Sequence, residues 1–88
     1  MPFDYRSPGF RQWRCLVQAS RATAAARSVE TLAARIGSET IGQLAREALT
    51  AAEGARAAAG VLDHSTAFDC ARKAMACEAQ AITLAKAN

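Results

Sequence analysis

The sequence has few of the residues from which catalytic and cofactor sites are built. It contains one histidine, one tryptophan, one tyrosine, three phenylalanines and three cysteines, and both of its prolines lie within the first eight residues. It has no glycine-rich phosphate loop, no paired catalytic carboxylates and no lipidation signal. No apolar run approaches the roughly 20 residues that span a bilayer. We therefore expect a soluble, non-enzymatic protein without a cofactor or a membrane partner.

The few residues that could carry chemistry have simpler structural explanations. His64 stands beside an aspartate and a serine at a predicted helix start, where capping explains the cluster better than a catalytic triad does. Cys70 and Cys77 are two helical turns apart, about 10 Å, which is too far for a disulfide and is not zinc-ligand spacing. We interpret these two and Cys15 as small core residues in a reducing, cytoplasmic setting.

Alanine makes up about a quarter of the 88 residues, and no strand-like alternation occurs. Helix propensity and apolar spacing predict an all-α fold, a small bundle of three main helices in a single domain spanning residues 1–88. Gly37 and Gly60 are placed to end helices, and the apolar connection at Val61 and Leu62 is predicted to be buried. The predicted elements are an extended lead over residues 1–7 and helices over about 8–26, 28–36, 39–59 and 64–86.

The first helix has large apolar residues on one face, Phe10, Trp13, Leu16 and Val17. After Arg27 the apolar residues fall about 140° away from this face on a helical projection. One straight helix does not serve both faces with a single core. We therefore predict a kink or break near Arg27-Ser28, or else one long helix whose two halves contact different neighbours.

The last helix has two adjacent apolar stripes, which is more than one packing contact requires. The first stripe contains Phe68, Ala71, Met75, Ala79 and Ile82; the second contains Cys70, Ala74, Cys77, Ala81 and Leu84. A helix with two stripes needs neighbours on both sides. We therefore expect this helix to form the centre of the bundle.

The net charge of +3 is concentrated near the N-terminus, since residues 1–29 hold five arginines against one aspartate. Arg11, Arg14 and Arg21 follow one another at spacings of three and seven along one side of the first helix, and Arg6 precedes them. The lead also carries two aromatic residues, Phe3 and Tyr5. We predict that this arginine stripe guides a partner electrostatically and that the two aromatic residues anchor it.

Glu78 falls within the apolar arc of the last helix, where a carboxylate needs a partner. One interpretation is an ion pair with an arginine of a neighbouring helix, such as Arg35 or Arg56. The other is a contact at an interface.

These features favour a protein that acts by binding another protein, as a regulator, adaptor or inhibitor; small inhibitors encoded by mobile elements or phages have this size. Two alternatives stay open. The arginine stripe could bind nucleic-acid phosphates, although no aromatic residues interleave with it for base stacking. The alanine-rich faces and Glu78 could instead form the interface of a homodimer or larger homo-oligomer.

Overall fold

A computed structural model describes residues 8–87, and these residues form three helices. The helices are α1 (Pro8–Ile36, 29 residues), α2 (Glu39–Gly60, 22 residues) and α3 (His64–Ala87, 24 residues). Because short turns join them, consecutive helices run in opposite directions and α1 runs parallel to α3. The molecule measures 48 × 23 × 16 Å, and each helix packs against both others. This confirms the expected all-α three-helix bundle.

The turns are formed by local capping contacts. Gly37 ends α1 with a φ of +72°, and its N–H donates to the Ala33 carbonyl (2.9 Å). Ser38 then caps α2 by accepting from the Ile41 N–H (3.3 Å). Asp63 caps α3, because its carboxylate accepts from the N–H (3.1 Å) and the hydroxyl (2.6 Å) of Thr66. The capping glycine is the one predicted from the sequence, and of the two residues flanking His64 it is Asp63 that caps α3.

The break expected near Arg27-Ser28 is absent, because α1 continues without interruption from Pro8 to Ile36. The structure shows one long helix, so the separate helices expected over 8–26 and 28–36 are one, but its two halves do not present different faces as the other alternative supposed. Its inward stripe repeats every three or four residues and consists of Cys15, Gln18, Ala22, Ala25, Val29 and Leu32. This heptad-like stripe keeps one direction along the whole helix, so no change of face occurs. The predicted change of face was wrong because Trp13 and Leu16 point outward, not inward.

The core is built mostly from alanine. Of the fully buried side chains, the largest are Ile41, Val29 and Cys15. The inward face of α2 consists of small and medium-sized apolar residues, whereas Leu49 is 40% exposed; the buried residues are Ile41, Leu44, Ala45, Ala48, Ala51, Ala52, Ala55, Ala58 and Ala59. Small residues let α2 and α3 approach closely, and a Cβ placed on Gly54 would lie 3.0 Å from the Sγ of Cys70.

Two further expectations about packing were wrong. α3 is not the centre of the bundle, because all three helix pairs pack to nearly equal extents. It buries one stripe, made of Ala67, Ala71, Ala74, Cys77 and Ala81. The connection after α2 is exposed, with Val61 at 76% and Leu62 at 38%. The backbone N–H groups of this turn find partners at the end of α2: the Leu62 N–H donates to the Ala59 carbonyl, and the Asp63 N–H donates to the Ala58 carbonyl. The turn therefore forms without burying the side chain of Val61 or Leu62.

Candidate functional site

Large apolar side chains lie mainly on the outside of this bundle, while alanine fills the inside. Exposed single hydrophobic residues are normal, but a group of them on one face marks an interaction site. Those more than about a third exposed are Trp13, Leu16, Ile36, Leu49, Val61, Leu62, Phe68, Met75, Ile82 and Leu84.

Three of these residues form a straight line on α3. Phe68, Met75 and Ile82 are 39%, 45% and 38% exposed and are spaced by seven residues, so they share one side of the helix over about 21 Å. On α1, Val17 and Ala24 are also seven apart. Val17 lines a groove with Phe68, and α1 and α3 run in the same direction. One heptad further along each helix, we therefore expect Ala24 and Met75 at the same height along the bundle. We call this surface, defined by these five residues, the α1/α3 face.

The N-terminal end of the α1/α3 face is both aromatic and basic. A groove of about 280 Å³ lies here between the two helices. Its lining consists of Trp13, Arg14, Val17, Gln18, Arg21, His64 and Phe68. The Phe68 ring stacks on His64 at 6.1 Å between centroids, and the Arg72 guanidinium lies 6.0 Å from its centre. Arg14 lies 5.7 Å from the centre of the Phe10 ring. Each arginine is within cation–π range of an aromatic ring.

The arginine stripe predicted from the sequence is therefore only partly assembled at this end. Arg14 and Arg21 line the groove, whereas Arg11 is exposed on α1 outside it. Arg6, Phe3 and Tyr5 lie outside the described residues, so their predicted roles stay predictions.

Sequence reasoning did not assign Phe68 to this groove, nor Arg72 to the position over its ring. The signal was the spacing of α3's outer stripe, which was assigned to the core. The Phe68 ring of α3 thus joins two rings of α1, Phe10 and Trp13, beside the arginine stripe.

Glu78 lies within the line on α3, three residues after Met75 and four before Ile82, and is half-buried. Within residues 8–87 its carboxylate has no ion-pair or hydrogen-bond partner. Of the two arginines proposed to pair with it, Arg56 instead donates a weak hydrogen bond to the Thr23 hydroxyl (3.4 Å). Its interface role stays a prediction.

The opposite side of α3 forms a second groove with α2, of about 600 Å³. Its lining mixes polar and apolar residues and consists of Thr40, Gln43, Leu44, Glu47, Ala79, Gln80, Thr83 and Leu84. Nearby, the Cys77 thiol donates to the Glu47 carboxylate at 4.0 Å. Burial raises the pKa of this thiol, and the Glu47 charge raises it further, so it stays protonated and is a poor nucleophile.

Neither groove holds a catalytic arrangement. Among the described residues, no three histidine, cysteine, aspartate or glutamate side chains converge to hold a metal ion. No helix in that part of the chain is long and apolar enough to cross a membrane. Comparison of the chain with protein-family models, curated proteins and solved structures gave no match. The arrangement on the α1/α3 face is suited to recognition through apolar contact and positive charge.

Proposed function

We propose that this chain is a protein-binding module, acting as a regulator, adaptor or inhibitor of a larger partner, and that it binds through the α1/α3 face. The observation that carries the proposal is the line of Phe68, Met75 and Ile82, each about 40% exposed above a core of alanine. α3 already packs against α1 and α2 through its buried stripe, and a further apolar stripe is typical of a helix with a further neighbour. We infer that the partner supplies that neighbour.

The energetics favour such an interaction. Removing apolar surface from water contributes about 25 cal/mol per Å², and aromatic residues and arginine are the usual centres of binding energy. The N-terminal end of the face combines Trp13 and Phe68 with Arg14 and Arg21 in one groove. The three free cysteines fit the cytoplasmic setting that we propose for the protein.

Nucleic-acid binding is the second candidate, because Arg14 and Arg72 lie beside aromatic rings, as arginines do in proteins that bind single strands. The rest of the face disfavours it. Met75 and Ile82 offer nothing to a phosphate backbone, and the Glu78 carboxylate between them repels one.

The proposal can be tested with a photo-crosslinking amino acid placed at Met75 in the protein expressed in its native cells. Ala57, exposed on α2 away from the α1/α3 face, provides the matched control position. We expect position 75 to give a defined conjugate with a larger protein and position 57 to give none. The same conjugates from both positions, or none from position 75, would contradict the proposal.

A further inference from the structure

We infer that the partner presents an acidic amphipathic helix that lies along the α1/α3 face as a fourth helix. This inference rests on the proposed function and specifies the chemistry of the partner.

The shape of the face fits a helix. Its line of large side chains on α3 is straight, repeats every seven residues and extends about 21 Å, which matches roughly four turns of an α-helix. On α1, the exposed small residue Ala24 lies one heptad beyond Val17, as Met75 lies one heptad beyond Phe68. In helical bundles, large side chains that repeat every seven residues next to small ones pack against a neighbouring helix. An amphipathic helix therefore fits better than an extended segment, which would leave its backbone groups unpaired on a surface of side chains.

The charges on the face specify an acidic helix. Three arginines surround its N-terminal end, Arg14 and Arg21 from α1 and Arg72 from α3. Asp63 lies near this end, but its carboxylate is engaged with Thr66. The C-terminal half carries the half-buried Glu78, which has no ionic partner in the described part of the chain. A complementary helix has carboxylates over the arginines and one lysine or arginine opposite Glu78.

A second copy of the chain is a poorer occupant by the same reasoning. Two α1/α3 faces brought together place six arginines, Arg14, Arg21 and Arg72 from each copy, against two copies of Glu78. The excess of like charge opposes self-association through this face.

A designed peptide provides the probe. It is a helix of about 18 residues with leucines at heptad positions, glutamates flanking them over one half and a single lysine in the other half. The controls are the same peptide with glutamine in place of each glutamate, and one with a central proline that breaks the helix. Trp13 is the sole tryptophan and lines the groove, so its emission reports binding.

We expect the acidic peptide to bind and the glutamine peptide to bind about tenfold more weakly, since three rim charge pairs are lost. The proline peptide should not bind. The double substitution Arg21→Gln with Arg72→Gln should weaken the acidic peptide about fivefold. Arg46→Gln, on the exposed side of α2, should leave its affinity unchanged.

Three results would overturn the inference. One is equal affinity of the acidic and glutamine peptides. Another is that a single-stranded nucleic acid of about 20 nucleotides binds more tightly than the acidic peptide, and that the Arg21 and Arg72 substitutions abolish the binding of both. The third is dimerisation of the protein alone, by sedimentation, that Met75→Glu abolishes. If no peptide binds while the photo-crosslinker at position 75 captures a protein, the proposed function stands and only the acidic-helix inference fails.

Discussion

The close approach of α2 and α3 at Gly54 makes a quantitative prediction about stability. Gly54 lies inside α2, where alanine in place of glycine should stabilise the helix by about 1 kcal/mol. The added Cβ, however, would lie 3.0 Å from the Cys70 Sγ, whereas ordinary contact begins near 3.4 Å. Overpacking of this kind costs about 1–3 kcal/mol. Gly54→Ala should therefore change the free energy of unfolding by between about zero and 2 kcal/mol in the destabilising direction.

Removing the Cys70 sulfur should reverse the sign of the effect of Gly54→Ala on the free energy of unfolding. In a Cys70→Ala background the Cβ at position 54 meets no Sγ, so Gly54→Ala should stabilise by about 1 kcal/mol. Urea denaturation of the wild type, both single variants and the double variant gives the coupling energy directly, and we expect about 1–3 kcal/mol. If Gly54→Ala stabilises both backgrounds equally, then α2 and α3 do not pack at the separation described and the reasoning is wrong.

Two predictions concern the turn between α2 and α3. Leu62 has a φ of +57°, a conformation that suits glycine, so Leu62→Gly should raise the free energy of unfolding by about 0.5–1 kcal/mol, measured by urea denaturation. Asp63 accepts two hydrogen bonds from Thr66, which lower the pKa of its carboxyl below the unfolded value. Its contribution is therefore fully present above about pH 4 and is lost as the pH falls through the folded pKa. The unfolding midpoint should fall in acid more steeply for the wild type than for Asp63→Ala; equal slopes would show that the cap does not couple to protonation.

The sequence was sufficient to place the turns between the helices, though not the continuity of α1, because the turns depend on local contacts. Ser38 and Asp63 each bond an N–H three residues further on, and Gly37 adopts the positive φ that glycine favours. Such signals need no knowledge of the neighbouring helices.

The choice of buried face was harder to predict, because a helical projection gives most weight to large side chains. In α1 this weighting pointed to Trp13 and Leu16, whereas the buried stripe consists of smaller residues such as Cys15, Ala19 and Ala22. Alanine faces permit close packing, so the stability of the bundle depends on the shape of these faces more than on the size of each side chain. The predicted break in α1 and the predicted central position of α3 had this same cause.

Because small residues fill the core, the large side chains of the candidate site lie outside it and come from two helices. The site could therefore be recognised only from the folded structure. Arg14 and Arg21 were recognised along one helix, but Phe68 and Arg72 come to them from another helix more than forty residues later. No spacing within the sequence connects these two segments. Their proximity follows from the parallel arrangement of α1 and α3.

The central claim, that the α1/α3 face is a protein-binding surface, is tested most directly by mapping amide chemical shifts of the ¹⁵N-labelled chain during titration with the protein captured at position 75. We predict that the largest chemical-shift changes occur at the residues of the α1/α3 face, namely Val17, Ala24, Phe68, Met75 and Ile82. The amide shifts on the exposed side of α2 should not change. Changes centred on α2, or on the groove between α2 and α3, would contradict the claim.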